Sequence, residues 1–153
     1  MTKAGGVRTL PSEPAQARRF GRVRDAQATA LLEDYVELIA DLLADAGEAR
    51  LVDIARRMGV AHPTAAKTIN RLKRQGLAMS EPYRGIFLTE IGMQMAERAR
   101  VRHRLVVRVL ETLGVPTDVA EADAEGMEHY VSDVTGRAFM KFIDAYGQFG
   151  TIS

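Results

Sequence analysis

The stretch RLVDIARRMGVAHPTAAKTINRLKRQGLAMSEPYRGIFL, residues 50–88, holds four short elements with a glycine or proline at every junction. A helix of about Arg50 to Met58 stops at Gly59. His62-Pro63-Thr64 then opens a second helix running to about Gln75, and Gly76 closes it. Pro63 suits the first turn, where a missing N–H leaves no intrahelical bond unmade. Two short helices around a glycine-containing turn match a helix-turn-helix. Leu77-Ala78-Met79-Ser80 and Gly85-Ile86-Phe87-Leu88, joined through Pro82-Tyr83-Arg84, read as a two-stranded hairpin, the wing of a winged helix.

Outward from this centre the chain is helical. Upstream, Leu31, Leu32, Tyr35, Leu38, Ile39, Leu42 and Leu43 recur at helical spacing from about Asp25 to Ala46, and Gly47 ends the pattern. Downstream, Thr89-Glu90 opens a long helix of about residues 90–113, halted by Gly114 and Pro116. A further helix covers about 117–130, and Ser132 is a suitable N-cap for a last one over about 133–147. Residues 1–23 carry Gly5-Gly6, Pro11 and Pro14 with few large apolar residues, and read as a mobile basic arm.

The net charge of +1 conceals strong segregation. Residues 1–24 hold six Lys/Arg against one acid, and 25–49 hold seven acids and no base. Residues 50–104 hold twelve bases against four acids, whereas 105–153 hold eight acids against three bases. The basic block coincides with the winged helix, where attraction to phosphate is expected. Hydrophobic residues make up 46%, enough for a core. No stretch approaches the roughly 18 apolar residues of a membrane span, and no signal peptide is visible. The lack of cysteine removes disulfides and thiolate ligands and suits a cytoplasmic protein.

On the second helix of the pair, Ala65, Ile69 and Leu72 can pack inward while Thr64, Lys67, Asn70, Arg71 and Arg74 are polar. Short hydrogen-bonding groups near the N-terminus of a recognition helix enter the major groove, and Lys or Arg grip flanking phosphates. His62, Pro63 and Thr64 are placed for the first role, Lys67, Arg71 and Arg74 for either, and Arg84 at the wing tip for a phosphate or the minor groove. The plainer alternative is a helical hairpin with an ordinary charged face.

The remaining chemistry lies in the acidic flanks. Asp34 and Glu37 share one helix face, as do Glu125, Glu128 and His129, because residues three and four apart on a helix are neighbours. With His103 these make four carboxylates and two imidazoles without a thiol. That set suits Mn²⁺, Fe²⁺, Co²⁺ or Zn²⁺ and does not choose among them. Taken singly, each pair is equally a solvated face, and His103 is equally a surface residue among Arg100, Arg102 and Arg104.

Asp34-Tyr35-Val36-Glu37, the segment Val60 to Leu77, Tyr83-Arg84-Gly85, Arg102-His103 and Ala124-Glu125-Gly126-Met127-Glu128-His129 together resemble the manganese-responsive regulators of the diphtheria-toxin-repressor superfamily. The resemblance covers about residues 30–140. It implies a mainly α protein: an N-terminal winged helix-turn-helix with a two-stranded wing, then an α-helical metal-binding and dimerisation domain. The corresponding division is an arm over 1–23, a DNA-binding domain over 24–97 and the helical domain over 98–153. It further implies a homodimer on double-stranded operator DNA, with Mn²⁺ as corepressor in a two-metal site of Asp34, Glu37, His103, Glu125, Glu128 and His129. Iron-responsive relatives carry Met in place of the first acid and Cys in place of the later glutamate, so Asp34 and Glu128 point to manganese. The SH3-like C-terminal domain of the iron-type members is not expected, and Tyr130 replaces a second consecutive histidine common in the family. Two rival readings are a winged-helix regulator that senses iron or another ligand and a binuclear metallohydrolase. The chain has no substrate-pocket signature and gives its centre to a basic winged helix, which argues against the enzyme.

Overall fold

The computed structural model describes residues 9–147. Its elements are α1 (Glu13–Ala46), α2 (Leu51–Met58), α3 (His62–Arg74), β1 (Ala78–Glu81), β2 (Gly85–Leu88), α4 (Glu90–Thr112), α5 (Thr117–Met127) and α6 (Asp133–Tyr146), with a 3-10 turn over Glu128–Tyr130. The mainly α winged-helix architecture read from the sequence is the one observed.

The start of α1 differs from expectation. The helix begins at Glu13 rather than near Asp25, so residues 13–23 of the expected arm are helical, while residues 1–8 lie outside the described part. The segment carries Ala15, Gln16, Ala17, Arg18, Arg19 and Arg22, which lose little side-chain freedom in a helix, and it has Pro14 in its first turn. It forms a helix without an apolar stripe, and Phe20 and Val23 remain exposed.

Two hydrophobic clusters organise the chain. The first joins α1, α2, α3 and the wing around Tyr35, Ile39, Ile54, Leu72 and Ile86, and Ala96 brings in the first half of α4. The second joins Val106 and Val107 of α4 to Ala120 and Ala124 of α5, with Phe139 of α6 packed against it. The wing is antiparallel, with Ala78 opposite Leu88 and Glu81 opposite Gly85. The Ile86 N–H donates to Ala49 O at 2.9 Å, fastening the hairpin to the loop after α1.

Thr89 sets the start of α4. Its hydroxyl donates to Gly76 O at 2.6 Å and accepts from Gly92 N at 3.1 Å, so one side chain caps α4 and ties it to the end of α3. Gly92 is required by close approach, since a Cβ there would lie 2.0 Å from Leu77 O. Ser132 caps α6 as expected, accepting from Thr135 N at 3.3 Å. No α6 residue is fully buried within the single chain, and Val134, Met140 and Tyr146 are exposed. Among the described residues, no helix is long and apolar enough to cross a membrane.

Candidate metal centre and nucleic-acid interface

The six residues proposed as ligands arise from three places in the chain and meet in one region. Asp34 and Glu37 come from α1, His103 from the middle of α4, Glu125 from the last turn of α5, and Glu128 and His129 from the 3-10 turn. Glu128 lies at the centre and is fully buried. Its Oε2 is 2.7 Å from His103 Nδ1, and its Oε1 faces His129 Nε2 at 3.6 Å. Asp34 Oδ1 reaches the same His129 Nε2 at 2.9 Å, without the alignment of a hydrogen bond. Potential ligand atoms of Asp34, Glu128 and His129 all lie within 4.8 Å of one another, and so do those of His103, Glu125 and Glu128. The two groups share Glu128.

Glu37 lines an adjoining cleft of about 440 Å³ with Asp34, Asp41 and Glu125. Met58 and Arg57, at the end of the first helix of the helix-turn-helix, line it as well. Burial, and then the charges of Glu128, Glu125 and Asp34, push the Glu37 carboxyl up to about 7. Burial also raises the Glu128 carboxyl, partly offset by the two histidines. His129 is pushed up to about 10, first by the adjacent Asp34 carboxylate and then by Glu33, against the opposing effect of burial. Burial would lower the His103 imidazole, but Glu121 and Glu128 outweigh it and hold it above its ordinary value. Protons therefore hold this cluster of negative charge together in the metal-free chain. A cation can take their place, because like charges packed at this distance need a compensating positive charge. The donor set fits such a cation: Glu128 Oε1 and His129 Nε2 are buried ligand atoms without a hydrogen-bond partner, and a buried polar group left so is destabilising unless something pairs with it.

Three residues absent from the sequence-based set surround the cluster. Glu33 Oε2 accepts from His129 Nδ1 at 2.9 Å and pairs with the Arg102 guanidinium. Burial raises the Glu33 carboxyl, but its bonds to His129 and Arg102 leave it below its ordinary value. Arg102 Nε also donates to the Glu128 carbonyl at 3.2 Å. Glu121, more exposed, lies 2.7 Å from His103 Nε2. The sequence did carry a weak signal for Glu33, an acid three residues before Val36 and seven before Ala40, both on the buried stripe of α1. Tyr130, the departure from the family pattern, lines a neighbouring groove with Glu33 and Arg102.

In the helix-turn-helix, α3 buries Ala65, Thr68, Ile69 and Leu72 and contains no acidic residue. His62, Pro63, Thr64, Lys67 and Arg74 are exposed, and Arg71 is half-buried. The structure thus brings these six onto one helix whose inner face is spent on the core. Arg84 is bound within the wing: it pairs with Glu81 at 3.0 Å and lies 5.5 Å over the Phe87 ring. The outermost point of the wing is Tyr83, fully exposed with φ +64°.

Comparison with known proteins gives two family matches that together span most of the chain. Residues 27–86 match "Iron dependent repressor, N-terminal DNA binding domain". Residues 89–147 match "Iron dependent repressor, metal binding and dimerisation domain". The "Transcriptional regulator MntR" of Salmonella typhimurium is 48% identical over 128 residues, 84% of this chain and 82% of that protein. Among solved structures, the manganese regulator SloR superposes with a TM-score of 0.66 at 29% identity, over 74% of this chain and 53% of that one. A manganese-dependent transcriptional repressor in complex with manganese superposes with a TM-score of 0.64 at 30% identity, over 72% of this chain and 51% of that one. This chain thus spans about half the length of these two solved structures.

Proposed function

This chain belongs to the iron-dependent repressor family of metal-dependent transcriptional regulators, and from that premise we propose a manganese-dependent repressor of manganese uptake genes. In this reading it binds operator DNA as a homodimer when Mn²⁺ occupies the site of Asp34, Glu37, His103, Glu125, Glu128 and His129. The observation that carries it is the convergence of Asp34, His103, Glu125, Glu128 and His129 in two groups that share Glu128, with Glu37 in the adjoining cleft and with Glu128 Oε1 and His129 Nε2 buried without a hydrogen-bond partner. All six donors are oxygen or nitrogen with no sulfur among them, which favours a harder ion. Fe²⁺, Co²⁺ or Zn²⁺ can substitute by the same donor chemistry. The two ligand groups that share Glu128 support a binuclear centre.

A bound divalent ion would supply the positive charge that these carboxylates need. The chain's own residues convert that charge into geometry. Asp34 and Glu37 ride on α1, whose next turns pack against α2 and α3 through Tyr35, Val36 and Ile39. Glu125, Glu128 and His129 ride on the C-terminal helices. Holding the two sets together fixes the winged helix relative to the dimerising part. In a two-fold dimer that sets the separation of the two α3 helices, which must match half-sites roughly 34–36 Å apart or a multiple of that. A bound ion would favour this arrangement only by as much as its affinity for it exceeds its affinity for the alternatives. On DNA, His62, Pro63 and Thr64 meet base edges, Lys67, Arg71 and Arg74 meet bases or phosphates, and Arg84 supports the wing. Residues 24–97 form the DNA-binding unit and 98–153 the metal-binding and dimerisation unit, with the exposed residues of α6 in the dimer interface. In this reading the protein acts in the cytoplasm as a regulator rather than as an enzyme.

The test is operator binding by fluorescence anisotropy on a manganese-transporter promoter, with and without Mn²⁺. Wild type should bind only with Mn²⁺. Glu37→Ala and His103→Ala should fail to bind the operator even with Mn²⁺ while remaining dimeric by light scattering. Manganese-dependent binding retained in either variant would remove the proposed site.

A further inference from the structure

Among the described residues outside the six proposed ligands, Glu33 and Arg102 form a largely buried ion pair beside the site. Glu33 is 8% exposed, lies one residue before Asp34 on α1, and ion-pairs with Arg102, which lies one residue before His103 on α4. Arg102 is committed twice, through its terminal nitrogen to Glu33 and through Nε to the Glu128 carbonyl at 3.2 Å. Glu33 is also committed twice, to Arg102 and to His129 Nδ1 at 2.9 Å. A chain of contacts therefore runs from α4 through α1 to the 3-10 turn and ends on the ring nitrogen of His129 that faces away from Asp34 and Glu128.

The chemistry of that end is restrictive. An ionised carboxylate only accepts hydrogen bonds, so the ring nitrogen facing Glu33 must carry its hydrogen. In a neutral imidazole, one protonated nitrogen leaves the other as a lone-pair donor. That other nitrogen is Nε2, buried, unpartnered and directed at Asp34 and Glu128. Carboxylates on the outer nitrogen of a ligating histidine fix both tautomer and ring orientation.

We infer that Glu33, held by Arg102, is a positioning residue that presents His129 Nε2 to the cation, and that it contributes to metal affinity without ligating. The inference rests on the metal-site reading above. Arg102 has a second part, since its bond to the Glu128 carbonyl orients the 3-10 turn that carries both Glu128 and His129.

The experiment measures Mn²⁺ affinity by electron paramagnetic resonance of the free ion, and the His129 ring ¹⁵N shifts in the Zn²⁺-loaded, diamagnetic protein. Wild type should show a protonated Nδ1 and a metal-bound Nε2. Glu33→Ala should weaken Mn²⁺ binding about 10- to 100-fold, the usual effect of losing such a partner, and should shift the Nδ1 resonance. Glu33→Gln keeps an oxygen acceptor of the same length, should fold where Glu33→Ala does not, and should restore the wild-type ring pattern with most of the affinity. Affinity of Glu33→Ala within about twofold of wild type with an unmoved ring pattern would overturn the inference. So would weakened binding without any change at His129 in either variant, because a general packing role would give that result. A wild-type protein that takes up no Mn²⁺ would overturn the metal-site reading itself, a different outcome from a wild type that binds and variants that bind equally.

Discussion

Lowering the pH from about 8 to about 6 should weaken Mn²⁺ binding by about a thousand-fold, because the site must release protons to accept a cation. The size of the effect follows from two residues. His129, raised to about 10 by Asp34 and then Glu33, is an imidazolium throughout this range. Each pH unit therefore changes the fraction able to ligate about tenfold, or about a hundred-fold over the interval. Glu37, raised to about 7 chiefly by burial and then by its neighbouring acids, is mostly ionised at the upper limit and mostly protonated at the lower one. It contributes about another factor of ten. His103 and Glu128, both also raised, can only steepen the curve. The plot of log affinity against pH should have a slope near one above about pH 7.5 and near two below about pH 6.5. Competition against a chelator of known proton affinity gives that plot. Calorimetry in buffers of different ionisation enthalpy counts the released protons directly. Glu37→Gln should flatten the lower limb. The metal-free fold should show the opposite trend. The contribution of His129 is complete below its unfolded value of 6.5 and lost as pH rises towards about 10, and that of Glu37 is complete below 4.5 and lost as pH rises through about 7. The metal-free melting temperature should therefore fall with rising pH while metal affinity climbs. An affinity that changes less than about tenfold over the interval would refute this reasoning.

Two further outcomes test the framework that carries the site. Gly92→Ala would place a Cβ 2.0 Å from Leu77 O, so α4 must move off the wing. Overpacking against backbone should lower stability by about 3 kcal/mol in urea unfolding, and a change below about 1 kcal/mol would show that α4 yields freely. Arg71→Ala should weaken binding to all DNA sequences alike and reduce the slope of log affinity against log salt by about one, and an unchanged slope would remove Arg71 from the phosphate contacts.

The winged helix was legible because its boundaries are made by residues whose backbone needs are local. Gly59 and Gly76 sit at positive φ at the ends of α2 and α3, and Pro63 lies in the first turn of α3. Helical spacing groups Asp34 with Glu37 on α1, but Glu128 and His129 lie in a 3-10 turn beyond the end of α5, so spacing alone does not assemble the proposed ligand set. The N-terminal part of α1 was not legible, because its helix comes from propensity rather than an apolar stripe, and periodicity is blind to that. Glu33 and Arg102 escaped for a different reason. An acid beside Asp34 and an arginine among arginines are ordinary in sequence, and their value comes only from a contact between residues 69 positions apart. The same fold answers the alternative for His103: Arg100 pairs with Asp41, Arg102 with Glu33 and Arg104 with Glu97, while His103 itself is turned to Glu128.

The position of the acids explains why a cation can govern this molecule. The core is divided into two hydrophobic clusters, and protein cores, being close-packed, have no graded range of arrangements. The chain places the proposed ligands between the two clusters: Asp34 and Glu37 share α1 with Tyr35, Val36 and Ile39 of the first, whereas Glu125 and Glu128 follow Ala124 of the second. A seam made of apolar side chains would have one preferred docking whatever the solution contained. A seam made of carboxylates and imidazoles is held by protons in one state and by a cation in another, and its preferred docking depends on which is present. Arg100 with Asp41 and Arg102 with Glu33 also cross it, so the seam is already partly fixed before the ligands are satisfied. That leaves the ion to shift a modest equilibrium rather than to assemble the fold, which is what reversible control by a weakly held divalent metal requires.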